Sequence, residues 1–428
     1  MPRVAKAAAR PPQRPRLASN GYRLPDPLPP GEVLTDSIKT SWTLGESIGL
    51  GGFGEIYVAK SASSRSSDYD YVVKVDHHNG PLFNEMHFYH RVCKADQIQE
   101  WKAKKGLSFL GMPEFMGSGI HDKPSNVIEE KKKTKKPKEM LKYRFLVMPR
   151  FGTDLQKMLN EHKKFSTKVT YTIAIKIIDI LEYIHSFGYI HGDIKASNLL
   201  LSRQEELGKK PRSKQGVFSE IYLVDFGLVE RFIFKEDNVH KKYEEDARRA
   251  NNGTVEFTSR DGHIGAFSRR SDLEVLAYNL LSWLSGGKLP WMPYLKDLRE
   301  VKNLKDNFMT NINALLEHCF KKEESTLKVL GKSQSASNAR IPSRNRSSLD
   351  VPPGIREFIE AVVKMGFEEK PDYDDLKRLL QKGIIDSGEK YDGKFSFTQE
   401  APKSSNGLSK RPSSESNGTP PRTRKRVI

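Results

Sequence analysis

The sequence predicts an α+β chain, on three observations. Strand-like runs lie in its first 150 residues, and the long helical periods begin near residue 168. Between helix and strand signals, Tyr189-Ile190-His191-Gly192-Asp193-Ile194-Lys195-Ala196-Ser197-Asn198-Leu199-Leu200 sets a carboxylate, an ammonium and an amide at fixed offsets in one loop. At 428 residues the chain can hold one two-lobed domain or two domains, plus tails.

Composition bounds the alternatives. Hydrophobic residues make up 36%, and the mean hydropathy is −0.62, so part of the chain is expected to stay unfolded. A net charge of +18 points to polyanionic partners such as nucleic acid, chromatin or acidic protein surfaces. Cys93 and Cys319 are the only cysteines and lack metal-ligand or disulfide spacing, which predicts a reducing compartment. No early apolar core reads as a signal peptide and no run is long enough for a membrane span. A soluble intracellular protein is expected.

Residues 1–38, rich in Pro, Arg and Ala, read as a disordered basic arm. The folded part begins near Trp42-Thr43-Leu44. Ile48-Gly49-Leu50-Gly51-Gly52-Phe53-Gly54-Glu55-Ile56 then sets G-x-G-x-x-G between strand-like runs. Glycines let backbone amides approach phosphate oxygens. A dinucleotide fold would need a helix after the last glycine, whereas Ile56-Tyr57-Val58 continues as a strand; that leaves a flap over a nucleotide, or a tight hairpin turn with no ligand.

Tyr71-Val72-Val73-Lys74-Val75 reads as a strand with one lysine among β-branched neighbours. The helix expected next carries Leu82, Glu85, Met86 and Tyr89 on one face. A carboxylate there either lies at the wet edge of the face or needs a partner, because an unpaired buried carboxylate is costly. Lys74 is the candidate. Tyr143-Arg144-Phe145-Leu146-Val147-Met148 is a further strand, running into a connector at Pro149-Arg150-Phe151-Gly152.

An amphipathic helix over 168–187 delivers the loop quoted above. In that loop Asp193 can accept the hydrogen bond of an attacking hydroxyl, Lys195 can neutralise a transferred phosphoryl group, and Asn198 can offer its amide oxygen to magnesium. Ile221-Tyr222-Leu223-Val224-Asp225-Phe226-Gly227 adds a carboxylate at the end of an apolar strand, about thirty residues beyond Asp193. Ser271-x-x-Glu274 reads as a capping box for a central helix through Trp283 that ends at Gly286-Gly287. Helical patterns return at 355–365 and 373–380.

These motifs together resemble the eukaryotic protein kinases, with Gly192 where arginine is usual and no A-P-E motif. Gly253-Thr254-Val255-Glu256-Phe257-Thr258-Ser259, Ser268-Arg269-Arg270-Ser271-Asp272-Leu273-Glu274 and Asn79-Gly80-Pro81-Leu82-Phe83 are similar to the vaccinia-related kinases of the casein kinase 1 superfamily. The opening Met1-Pro2-Arg3-Val4 and the ending Arg422-Thr423-Arg424-Lys425-Arg426-Val427 carry the same resemblance.

The resemblance covers roughly residues 39–385 and implies a bilobal protein kinase fold, with a small β-rich N-lobe (39–148), a hinge (149–152) and a large helical C-lobe (153–386). It implies that ATP is cradled by Ile48, Gly49, Leu50, Gly51, Gly52, Phe53, Gly54 and Ile56. Val72, Met148 as gatekeeper, Phe151 and Leu200 would surround the adenine. Lys74 would pair with the phosphates and with Glu85; Asp193 and Lys195 would act at the transferred group, braced by Thr254; Asn198 and Asp225 would hold Mg2+. Serine and threonine of nuclear proteins, core histones and barrier-to-autointegration factor among them, are the implied substrates, and a monomer is expected.

Flexible inserts are expected at about 126–140, which carries the run Lys131-Lys132-Lys133-Thr134-Lys135-Lys136-Pro137-Lys138, and at 202–219 and 321–353. Residues 387–428 read as a disordered Ser/Pro-rich tail with a basic end. Arg422, Arg424 and Arg426 suit docking on the carboxylates of a nucleosome, because guanidinium grips them bidentately; a nuclear-import signal, a non-specific DNA contact and a solvated tail are the alternatives. Two functions compete: an active kinase, or a catalytically weak scaffold on chromatin. Loss of a phosphate- or metal-handling residue would favour the scaffold, and Gly49, Gly51, Gly54, Lys74, Glu85, Asp193, Asn198 and Asp225 are all present.

Overall fold

A computed structural model of the chain describes residues 15–18, 21–124, 140–203, 216–321 and 349–397. Its first part is a six-stranded antiparallel sheet in the order β1-β2-β3-β4-β6-β5. The strands are β1 (Val33–Thr35), β2 (Ser41–Gly51), β3 (Gly54–Ser61), β4 (Tyr71–His77), β5 (Gly117–Pro124) and β6 (Met140–Pro149). Helices α1 (Leu82–Val92) and α2 (Ala95–Lys105) lie between β4 and β5 in the chain. The two-residue period of β4 sends Val73 and Val75 into one core with Trp42, Leu44, Tyr57, Phe145 and Val147. Lys74 therefore points out of the opposite face, the one α1 covers.

The second part is helical. Its long elements are α3 (Leu155–His162), α4 (Thr167–Ser186), α5 (Arg260–Ile264), α6 (Arg269–Ser285), α7 (Leu298–Thr310), α8 (Ile312–Phe320), α9 (Ile355–Lys364) and α10 (Tyr373–Asp386). Short antiparallel pairs, β7 (Tyr189–Ile190) with β10 (Glu230–Arg231) and β8 (Leu199–Leu201) with β9 (Ile221–Leu223), carry the loops of interest. Ser166 caps α4, its hydroxyl accepting the Val169 N–H at 3.3 Å. The two-lobed α+β expectation holds. Among the described residues no helix is long and apolar enough to cross a membrane.

Several boundaries differ from those expected. The N-terminal arm is not wholly disordered: residues 21–38 are part of the fold, β1 pairs with β2, and Leu24, Leu28 and Leu34 are buried. Three leucines spread among prolines and charges show no periodicity, yet Leu28 and Leu34 join the core of the sheet. Arg16 pairs with Glu55 at 2.8 Å, and the Tyr22 hydroxyl donates to Asp76 at 2.9 Å with its ring edge-on to Phe53. The expected disordered tail likewise begins too early, because Phe395 exchanges both backbone hydrogen bonds with Phe218, 2.8 Å each, and is buried. Phe218 thus takes the end of the 202–219 insert into the fold, and β6 starts at Met140, the last residue of the first insert. Residues 349–353 of the third insert are described, whereas Lys131–Lys138, the Ser-rich run 333–348 and Arg422, Arg424 and Arg426 lie outside the described residues.

The capping box is displaced as well. Helix α6 starts at Arg269, and Ser271 Oγ accepts the Ser268 N–H at 3.1 Å. Glu274 does not cap; its carboxylate takes the guanidinium of Arg260 at 3.1 Å. The helix is buried on nearly all sides and ends at Gly286, whose φ of +76° suits glycine.

Candidate active site

The glycine-rich stretch is the β2–β3 hairpin, with Gly51 opposite Gly54. A Cβ on Gly54 would meet Val75 O at 2.6 Å, so the flap can lie this close to β4 only with glycine there. Ile48 and Leu50 are each 53% exposed, leaving apolar surface open for a ring to cover. Under the flap, Lys74 Nζ donates to Glu85 Oε2 at 2.6 Å and to Asp225 Oδ1 at 3.0 Å. Strand, helix and the loop after β9 thus meet at one ammonium.

Burial works against charge here, but the carboxylates of Asp225 and Glu85 outweigh it and hold Lys74 above its ordinary pKa. Burial would likewise raise Asp225, and Lys74 more than offsets it, keeping that carboxyl below the usual range. Burial pushes the Glu85 carboxyl up against the pull of Lys74. At 2.6 Å from a charged Lys74 we take Glu85 as ionised. Asp225 sits at φ +65°, an unfavourable backbone for a residue with a Cβ. Phe226 behind it is fully buried, stacked on Phe88 at 4.4 Å and edge-on to Tyr89, and its N–H reaches Glu85 Oε1 at 3.3 Å. Packing of Phe226 fixes where Asp225 points.

In the loop after β7, Asp193 Oδ1 accepts from the Thr254 N–H at 2.9 Å and the Thr254 hydroxyl at 2.7 Å. Lys195 Nζ lies 2.6 Å from Asp193 Oδ2 and 2.8 Å from Thr254 Oγ1. Asn198 donates its amide N–H to Asp193 O at 2.9 Å, which leaves its Oδ1 as the acceptor that a cation could use. One carboxylate oxygen on Asp225 and one amide oxygen on Asn198, completed by phosphate oxygens and water, suit magnesium, a hard cation that keeps part of its water. The residues present fit the group.

Among the residues expected around an adenine, Met148 is buried at the end of β6, opposite Val72, with its sulfur 3.6 Å from the Tyr89 hydroxyl. Phe151 stacks on Tyr222 at 4.1 Å, and Tyr222 is the cross-strand partner of Leu200. Ile56 pairs with Lys74 across β3 and β4, and Gly52 and Phe53 form the tip of the flap. A cavity of about 540 Å³ lies elsewhere, between Trp101, Gly188, Arg269 and Tyr373, and includes none of these residues.

Sequence reasoning missed what holds the loop. Asp272, fully buried in α6, accepts the N–H groups of His191 at 2.7 Å and Gly192 at 2.9 Å. His185 Nε2 lies 3.0 Å from the same carboxylate, and Asn279 donates to Ile194 O at 2.8 Å. His191 in turn accepts the Asp193 N–H at Nδ1, 3.2 Å, and so donates from Nε2 to Val224 O; burial lowers its pKa, in keeping with the neutral ring these bonds need. Asp272 stood in the sequence only as one letter of the Ser268–Glu274 motif, and an acid at the first turn of a helix looks like an ordinary response to the helix dipole, so its role on the loop was not legible.

The protein kinase domain family model matches residues 122–258. Nucleosomal histone kinase 1 of Drosophila melanogaster is 35% identical over 415 residues, covering 95% of this chain. The chain spans only 59% of that protein's length. B1 kinase of Vaccinia virus (strain Western Reserve) is 32% identical over 360 residues, 83% of this chain and 98% of the viral one. Among solved structures, vaccinia related kinase 3 matches with a TM-score of 0.63 and 27% identity, covering 86% of this chain and 95% of that one.

Proposed function

Because the chain belongs to the vaccinia-related kinase family, we propose that it transfers the γ-phosphoryl group of ATP, with Mg2+, to serine and threonine of chromatin-associated proteins in the nucleus. The observation that carries this reading is the meeting of Lys74, Glu85 and Asp225 beside the Asp193-Lys195-Thr254 cluster. Magnesium, when bound, neutralises charge on the phosphates. The chain's own residues do the positioning. Backbone amides of Gly49 to Gly54 face the phosphates, and Lys74, held charged by Glu85, reaches the α- and β-phosphates. Asp193 takes the hydrogen bond of the acceptor hydroxyl and aims its oxygen at the γ-phosphorus. Lys195 stabilises the charge that spreads over the transferred group.

Histones and barrier-to-autointegration factor are the proposed substrates. The name of the Drosophila relative supports the first and family resemblance the second, while the net charge of +18 suits the DNA and acidic surface of a nucleosome that carries the histones. We place Arg422, Arg424 and Arg426 on an acidic nucleosome surface and read the protein as a monomer. An ATP-dependent phosphotransfer assay on nucleosomes, free histones and barrier-to-autointegration factor, with Asp193→Ala as control, tests the reading. No transfer to any of them, or equal transfer by the variant, would overturn it.

A further inference from the structure

Helix α7 turns Val301, Lys305 and Met309 inward at a spacing of four, so a lysine occupies the middle of a buried stripe. Lys305 is fully buried. All three of its possible donors have acceptors: Val255 O at 2.8 Å, Thr258 O at 2.8 Å and His263 Nε2 at 3.2 Å. His263 can accept because its other nitrogen, Nδ1, gives its proton to Asn251 Oδ1 at 2.7 Å. The ammonium also lies 5.2 Å from the ring centroids of both Tyr278 and Trp291, within range of a cation–π attraction.

The two carbonyls belong to the segment that begins at Thr254, the residue that braces Asp193. Thr258 Oγ1 donates back to Thr254 O at 3.0 Å, and the Trp291 indole N–H holds Glu256 O at 2.8 Å. The carbonyls of Thr254, Val255, Glu256 and Thr258 are thereby all fixed, two of them by one side chain from a distant helix. The acceptor hydroxyl must sit at Asp193, so the residues next to Thr254 form the wall that the substrate chain meets. A methionine would fill the same stripe without the cost of burying an amine. What the lysine adds is the aim of its donors.

Resting on the kinase reading above, we propose that Lys305 is a positioning residue for the protein substrate: it holds the backbone of segment 254–258 in the shape that presents the acceptor hydroxyl to Asp193. It touches neither ATP nor the reacting atoms. Its loss is therefore felt on the protein-substrate side and not on the nucleotide side.

The test uses the full chain with Lys305→Met, which keeps the stem and removes the donors, and Lys305→Gln, whose amide retains two. With free core histones as substrate, Lys305→Met is expected to lose about tenfold or more in kcat/KM for histone, while the KM for ATP stays within about twofold. Lys305→Gln should recover several-fold of that loss, as a merely space-filling role would not. Active wild type with an unmoved Lys305→Met, or equal losses on the ATP and histone sides, would overturn this inference alone. Inactive wild type would overturn the kinase reading and this inference with it. Failure of both variants to fold, seen by circular dichroism, would make Lys305 a requirement of the fold only and equally overturn the proposal.

Discussion

Thr254 gives Asp193 two hydrogen bonds through a single carboxylate oxygen, its N–H at 2.9 Å and its hydroxyl at 2.7 Å from Oδ1. With Lys195 on the other oxygen, the carboxylate is held from both sides close to the loop backbone. A short aliphatic alcohol can reach it, whereas a phenol would place its oxygen too far out. Serine or threonine in matched peptides should be phosphorylated in strong preference to tyrosine. Thr254→Val removes the hydroxyl from a bond to a charged group, worth about 1.5–3 kcal/mol, so turnover should fall about ten- to a hundredfold. Comparable rates on tyrosine would refute the assignment.

Asp193 and Asp225 should separate kinetically. Asp193→Ala removes the group that orients the nucleophile and is expected to cost about 10²–10⁴ in kcat while ATP still binds. Asp225→Ala also leaves Lys74 with one carboxylate instead of two. Magnesium-nucleotide affinity, measured by calorimetry, should drop for Asp225→Ala and hold for Asp193→Ala. Near-normal turnover in Asp193→Ala would sink its role.

Gly192 stands at φ +78° and offers no cation to a phosphorylated segment. The residues that follow Phe226 are already tied down: Lys241 Nζ donates to Arg231 O at 2.7 Å, and Arg249 lies near both Glu230 and Asp246. Protein made in bacteria and treated with phosphatase should keep most of its activity. A large loss on dephosphorylation would mean that another basic residue reads a phosphate.

Burial pulls the Lys305 amine down from 10.5 to about 7, with Glu274 and Glu256 pulling the other way. The unfolded chain would keep that proton up to its ordinary pKa, while the folded chain gives it up near 7. Between those limits the folded state binds fewer protons, so stability contributed through Lys305 rises with pH, by about 1.4 kcal/mol per unit at most. Below 7 both states hold the proton and the contribution levels off at its minimum. His263, pushed down to about 3 by burial and by Lys305 and Lys302, stays neutral throughout and does not blur the signal. Denaturant unfolding at pH 7 and pH 9 should show wild type gaining about 2 kcal/mol on Lys305→Met. A difference that does not change with pH would show that the three acceptors and two rings keep the amine charged.

For the basic tail, replacing Arg422, Arg424 and Arg426 together by lysine keeps the charge and removes the planar fork. Nucleosome affinity at fixed salt should fall while naked-DNA affinity holds, since the latter follows charge through counterion release. Unchanged affinity for both would leave the tail as an address or a spectator.

Residues that need a partner were the ones legible in the sequence. Lys74 among β-branched neighbours and Glu85 on an apolar helix face each pose a problem that the other solves. The chemistry-bearing loops were legible for a similar reason, since fixed offsets within a few residues survive in the linear text. The roles of Asp272 and Lys305 were not, because most of their partners are backbone groups dozens of residues away, 80 for Gly192 and 50 for Val255, and a carbonyl or an N–H leaves no mark on sequence. Helix α2 escaped as well: Ile98 is its only buried residue, too little for a hydrophobic period to show. Glu274, read as part of a family signature and as a cap, instead pairs with Arg260, which no motif had marked, and ties α5 to α6.

Strand β1 is three residues long and has only Leu34 buried, yet it occupies the outer side of β2, which has eleven. A piece of the chain trimmed to begin at residue 39, where composition suggests that folding starts, would bare the Ser41–Leu44 edge of β2, which residues 31–35 now pair. Its unpaired N–H and C=O groups would then be free to take up a strand from another copy, the first step toward aggregation. Three residues of the arm close the end of the sheet where β2 begins.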